Sequence, residues 1–140
     1  MATGPIDPQS SSEMLFIASK TNLLGYGKSI VVNDHKDVEN NRDLFDKEVT
    51  DGINCLAFGI FPPDPAIEDS QPCATIVAGG NCSLNGYDKV GDERFWTVTG
   101  DNVAALTFLD WDGDGVEELM VGSDDQSIRA FRGEELIHDI

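Results

Sequence analysis

Apolar residues recur along this chain in short runs separated by polar turns. No stretch keeps the helical period, so the pattern predicts strands throughout. MLFIASK (14–20) and LLGYGKSIVV (23–32) read as two strands joined at a turn. Residues 33–42 are polar and acidic and read as a solvated loop containing His35. DLFDKEV (43–49) alternates as an outer strand does, and Asp51-Gly52 marks a turn. INCLAFGIF (53–61) is apolar on both faces: Ile53, Cys55, Ala57 and Phe61 on one, Leu56, Phe58 and Ile60 on the other. That is the mark of a strand buried between two layers. Residues 62–72 hold four prolines and predict a loop. The strand series then runs through ATIVAGG (74–80), SLNGYDKV (83–90), RFWTVTG (94–100), VAALTFLD (103–110), ELMVGS (118–123), SIRAFRG (127–133) and LIHDI (136–140).

One pattern occurs three times: an apolar strand ending in a small residue, a polar turn, then a strand with an aromatic near its end. The copies are LFIAS with LLGY, TIVAGG with LNGY, and LMVGS with IRAF. Aligned on Ala18, Ala78 and Gly122 they lie 60 and 44 residues apart, and the second interval matches the roughly 40–45 residues of a four-stranded propeller blade. The first interval is lengthened by the proline-rich loop. Two four-strand units follow, one from DLFDKEV to SLNGYDKV and one from RFWTVTG to SIRAFRG, with a half unit before and a starting strand after. The fold predicted is all-β: a partial β-propeller of about two and a half four-stranded antiparallel blades. Residues 14–140 form it, and residues 1–13 read as a flexible leader or an expression scar. Blades lean on their neighbours for a core, so the chain reads either as a piece of a larger propeller or as a fragment that completes itself by self-association. An open β-sandwich is the competing arrangement, and the regular unit spacing disfavours it.

The 140 residues suffice for one domain. Asp and Glu number 26 against nine Lys and Arg, a formal charge of −17. Phosphate neutralisation needs clustered bases, so neither nucleic acid nor an anionic membrane surface is expected as a partner of this segment. Cys55, Cys73 and Cys82 form no Cys-x-x-Cys pair, which argues for a reducing compartment. No apolar run reaches membrane-span length. Gly27-Lys28-Ser29 lacks the earlier glycine of a phosphate loop, where Asn22 stands instead. There is no Gly-x-Ser-x-Gly elbow, and neither His35 nor His138 sits in a motif, so an enzyme is not expected.

The chemically distinctive stretch is DWDGDGVEELMVG (110–122). Asp110, Asp112 and Asp114 alternate on a loop whose glycines permit positive φ. Hard oxygen ligands of this kind suit Ca²⁺. An EF-hand needs Glu at loop position twelve, and that position is Val121. The last acid, Glu118, falls at position nine, directly before a strand, as in the shorter calcium loops of integrin-type propellers. The expected ligands are the side chains of Asp110, Asp112, Asp114 and Glu118 with the backbone carbonyl of Val116. The role is structural, and a metal-free acidic hairpin is the plain alternative.

TNLLGY (21–26), DLFDKEVTDG (43–52), GGNCSLNGYD (79–88), FWTVTGDNV (95–103), DWDGDG (110–115) and ELMVGSDDQSIRAF (118–131) together resemble the amino-terminal propeller of the Bardet–Biedl syndrome protein two family, subunits of the BBSome. The resemblance spans about residues 14–140; the 62–72 loop looks longer than in that family, and the leader has no counterpart there. It implies a non-enzymatic scaffold segment of a ciliary membrane-protein trafficking coat. Further blades, a coiled coil and a carboxy-terminal domain would belong to the whole protein. The implied partners are other BBSome subunits, notably the propeller and coiled-coil proteins seven and nine of that complex, and membrane-protein cargo. The implied location is the cytoplasm, cilium or flagellum and basal body, on the membrane-associated coat. The alternative function is an integrin-like calcium-binding adhesion module, which calls for paired cysteines and several aspartate loops.

Overall fold

A computed structural model describes residues 2–5, 13–33, 36–63 and 71–140. It contains twelve strands among the described residues, arranged as three four-stranded sheets. Sheet A holds β1 (Ala2–Pro5), β2 (Glu13–Ser19), β3 (Asn22–Asn33) and β4 (Lys36–Glu48). Sheet B holds β5 (Cys55–Phe61), β6 (Cys73–Gly79), β7 (Ser83–Tyr87) and β8 (Glu93–Val98). Sheet C holds β9 (Val103–Leu109), β10 (Glu118–Ser123), β11 (Ile128–Arg132) and β12 (Glu135–Asp139). Within each sheet the strands follow chain order and pair antiparallel. The innermost strand of sheet B, β5, lies beside the innermost strands of both neighbours, β1 and β9. Strand meanders stacked with their first strands together are propeller blades.

Three expectations change. The blade boundaries sit one strand later than predicted, since β4, β8 and β12 each close the sheet they follow. Residues 49–54 and 99–102 carry turn residues but cross between sheets, whereas a hairpin turn would return the chain beside the strand just left. Whole units therefore number three. Residues 2–5, within the stretch read as a leader, pair with β2 from Ala2↔Phe16 to Pro5↔Glu13 and complete sheet A. Residues 36–42, read as loop, extend β4, whose pairing with β3 runs to Asn33↔Lys36. His35, residues 6–12 and the centre of the proline-rich loop (64–70) lie outside the described residues.

Sheet B is the middle layer and carries a core on each face, although Ile60, expected inside, is 53% exposed near the end of β5. Met14, Phe16 and Leu23 of sheet A pack with Ile76, Ala78 and Tyr87 on one side. Ala57, Phe61, Val77 and Leu84 pack with Leu119, Val121 and Phe131 of sheet C on the other. Cys55 and Ala57 do face away from Leu56 and Phe58, as the alternation of the strand required. Ile53 departs from it: it lies ahead of β5 and packs on the sheet A side. Edge-on aromatic contacts tie the B–C layer, with Phe61 5.1 Å from Phe95 and 5.4 Å from Phe108 between ring centroids.

The two crossings are stitched alike. In the first, the Val49 and Ile53 N–H groups donate to the Thr21 and Lys20 carbonyls at 2.7 and 2.6 Å. In the second, the Thr99 and Val103 N–H groups donate to the Cys82 and Gly80 carbonyls at 2.9 and 3.0 Å. Each crossing also accepts from the turn of the following sheet, Asn81 N–H to Asp51 O and Asp124 N–H to Asn102 O. Every crossing thus locks two blades in register by main-chain bonds, whose donors only a change to proline would remove.

Gly80 stands where the first crossing passes closest. A Cβ there would lie 2.1 Å from the Gly52 carbonyl oxygen, a backbone atom that cannot step aside. At Gly122 the nearest atom would be 3.8 Å away. Gly80→Ala is therefore expected to destabilise by about 1–3 kcal/mol. Gly122→Ala should stay within about 0.5 kcal/mol of the wild type. Urea unfolding of the two variants checks the pair, and equal midpoints would contradict this packing.

Candidate functional site: the aspartate loop

The loop joins β9 to β10, the first two strands of sheet C, rather than the second and third as the sequence units implied. Leu109↔Glu118 is the last pair before it opens. Gly113 and Gly115 take φ of +76° and +87°, the left-handed conformations for which glycine was read into the loop. These turns point successive main-chain donors inward. Gly113 and Gly115 N–H donate to the two oxygens of Asp110 at 2.7 and 3.0 Å. Asp114 N–H donates to Asp112 at 3.1 Å, and Val116 N–H to Asp114 at 2.8 Å. Trp111 N–H donates to Glu118 Oε2 at 2.9 Å.

Glu118 is fully buried, an unusual place for a carboxylate. Arg132, from the end of β11, accounts for it. Its Nε donates to Glu118 Oε1 at 3.1 Å, and its Nη2 reaches the same oxygen. The Nη2 also contacts Asp112 Oδ2 at 3.3 Å and Asp114 Oδ2 at 3.0 Å. Each oxygen of the four carboxylates therefore has a donor. The hydrogen bond it donates to Glu118 holds the Arg132 guanidinium above its ordinary pKa against partial desolvation, with the charges of Asp114, Glu118 and Asp112 acting the same way. One cation thus gathers the loop's acids.

Carboxylate oxygens of Asp110, Asp112 and Glu118 lie within 4.8 Å of one another, close enough to share a metal ion. Asp114 joins the group through Arg132. Val116 is half-buried at the loop's end. The sequence reading did not include Arg132. The signal was available, because the turn after β10 brings residues 128–132 antiparallel to 118–122 and sets a base opposite the buried acid.

The remaining candidates are dispersed. His138 is exposed on β12, its ring 6.4 Å from that of Trp111 in an edge-on contact. All three cysteines are free. Burial pushes the Cys55 thiol up to about 11, so it stays protonated at neutral pH and is a poor nucleophile.

Three stacked antiparallel blades with an acidic hairpin loop define a segment of a β-propeller. Two family models match it: the N-terminal part of ciliary BBSome complex subunit 2 over residues 1–59, and the middle region of that subunit over residues 105–140. Over all 140 residues the chain is 41% identical to "BBSome complex member BBS2" of Danio rerio, and 41% identical to its counterpart in Homo sapiens. In Caenorhabditis elegans, "BBSome complex member bbs-2" is 37% identical over 112 residues, 80% of this chain and 14% of that protein. The chain belongs to the family of BBSome complex subunit 2. It spans 17% of the length of the vertebrate relatives. The match begins at residue 1, so the expectation that residues 1–13 lack a family counterpart is corrected.

Arg132→Ala leaves the buried Glu118 carboxylate without its cation, which is costly for a buried charge. The urea midpoint should fall below that of Arg94→Ala, which removes an exposed base from β8. Equal midpoints would show that Arg132 does not hold the loop. Alkylation is a second check. Iodoacetamide at neutral pH should modify exposed Cys82 well before Cys55, as followed by peptide mass spectrometry. Equal rates would contradict the burial of Cys55.

Proposed function

We propose that this chain is a non-enzymatic scaffold segment of a ciliary membrane-protein trafficking coat. The observation that carries the reading is identity near 40% along its whole length to BBSome members from several vertebrates. The site chemistry agrees with it. The acids of the aspartate loop are occupied with one another's backbone and with Arg132, and the protonated Cys55 offers no activated nucleophile. The work of such a segment is to hold its loops and outer strands in fixed relation for other proteins to bind. The partners we infer are other BBSome subunits, with proteins seven and nine of that complex foremost, and membrane-protein cargo. The inferred setting is the cytoplasm and the cilium with its basal body. The adhesion alternative called for paired cysteines, and the three here are free.

We also infer a structural role for Ca²⁺ at the loop. The proximity of the Asp110, Asp112 and Glu118 oxygens favours it, and hard carboxylate oxygens are the donors that Ca²⁺ takes. Asp114 and the Val116 carbonyl would complete the shell. The ion would supply the positive charge that Arg132 brings, so the guanidinium must withdraw from Asp112 and Asp114 as it binds.

A chimera tests the scaffold reading. This chain replaces the matching stretch of the Danio rerio relative, and the complex is purified through a different subunit. The chimera should co-purify in stoichiometric amount; a folded chimera left outside the complex would overturn the reading. Calorimetry tests the ion. Wild type should bind Ca²⁺ saturably and Asp112→Ala should not, while Arg132→Ala should bind more tightly than wild type. No heat with any of the three would remove the metal from the account.

A further inference from the structure

The outer strands β4, β8 and β12 hold equivalent places in their sheets. Each sheet carries a bulge at the same point of its third strand, after Gly25, Gly86 and Ala130. One step before it, the pairs Leu24↔Asp46, Asn85↔Trp96 and Arg129↔Asp139 correspond. Sheets A and C thus set an exposed acid at this place on the outer edge. Asp46 accepts from Asn22 at 3.2 Å, and Asp139 lies 3.5 Å from Arg129. Sheet B sets Trp96 there, 51% exposed. Two residues on, the pairs Asn22↔Glu48 and Ser83↔Val98 correspond, and again β4 has an acid where β8 has an apolar side chain, 61% exposed. Charge is how sheet edges are ordinarily kept from pairing with other chains. β8 lacks it at both places.

This opening is built into the middle of the chain, since β8 belongs to the sheet that has a neighbour on each side. Phe95 turns into the core between sheets B and C. Trp96 therefore faces the other way, and its indole N–H donates to Asp51 Oδ2 at 3.3 Å. The main chain is open as well. Thr99 N–H donates to the Cys82 carbonyl. Bonded and non-bonded pairs alternate along an antiparallel ladder. Thr97 and Phe95 therefore bond to β7, and the N–H and C=O groups of Trp96 and Val98 point outward from the sheet. Among the described residues β8 pairs with β7 alone.

We propose that the outer edge of β8 takes an extended, basic segment of a partner protein as an added strand. Main-chain bonds to Trp96 and Val98 hold the segment, as in other strand additions to an open edge. A Lys or Arg of the segment lies against the Trp96 ring, a favourable place for a cation. Charge selects the occupant. Residues 88–101 carry Asp88, Asp92, Glu93 and Asp101 against Lys89 and Arg94, and Asp51 lies beside the indole. A second copy pairing along β8 would bring these acids together, on chains of −17 each. The inference rests on the scaffold reading and names a strand and a chemistry for it. Its test uses the chain alone, so a failure here leaves the outcome of the chimera standing.

Nuclear magnetic resonance of the 140-residue chain, titrated with the peptide Lys-Val-Arg-Val-Arg-Val-Lys, tests this. The amides of Trp96 and Val98 and the Trp96 indole N–H should shift together and saturably, and binding should weaken as salt rises. The same peptide with Glu for each base, or N-methylated at alternate residues, should leave them in place. Trp96→Ala should weaken binding about tenfold. Val98→Pro removes an outward N–H and leaves the ladder to β7 intact, so it should also weaken binding. Circular dichroism checks that each variant keeps its strands, and a Val98→Pro chain that loses them is replaced by Val98→Lys. Absence of shifts in β8 would overturn the proposal. So would equal binding of the acidic or N-methylated peptide, unchanged binding by Trp96→Ala, or pairing of β8 with a second copy before peptide is added.

Discussion

Everything in this molecule depends on a middle sheet that is apolar on both sides. A four-stranded sheet with one dry face needs one partner; sheet B needs two, and sheets A and C are those partners. Ile76 and Val77 are neighbours in sequence, yet they lie in different cores. That alternation makes the blades interdependent. It also explains why the crossings between sheets are fixed by main-chain hydrogen bonds. The stacking must hold its register for both cores to fill, since a one-residue slip would exchange the two faces.

Much of this was legible in the sequence. The double-sided apolar run at 53–61 announced a strand between layers. The aromatic positions Tyr26, Tyr87 and Phe131 fell in register, and the structure sets all three on the same face of their blades. The anchor before them was misaligned by one residue: Gly79, not Ala78, matches Ala18 and Gly122, since Gly79 pairs with Leu84 as Ala18 pairs with Leu23, five residues on in each case. Blade boundaries were hidden for a related reason. Asp-Gly-Ile-Asn at 51–54 and Gly-Asp-Asn at 100–102 signal that the chain turns, and carry nothing about which sheet receives the next strand. β1 was missed because Ala-Thr-Gly-Pro has no strand-like alternation; its pairing with β2 alone makes it a strand.

The aspartate loop was legible as an acidic hairpin and incomplete as a site. Spacing located its acids and its glycines, and the glycines do adopt positive φ. The partner that gathers those acids comes from another strand. Arg132 meets Glu118 only because the hairpin after β10 brings β11 back alongside it. Long-range pairing of that kind has no local signal, although strand register could have supplied it. The same register turns a single acid inward at Glu118, where it would be out of place without a base beside it. The loop belongs to the blade's architecture, and it lies on a chain whose family assembles into a ciliary complex.

Amide hydrogen exchange tests the central claim most directly, because it reads stability strand by strand. If sheet B is the layer on which both others rest, the amides of β6 and the inner part of β7 exchange slowest, near the rate set by global unfolding. Those of β12, at the far edge of sheet C, should exchange early. Slowest exchange in sheet A or sheet C, with β6 opening first, would contradict the account.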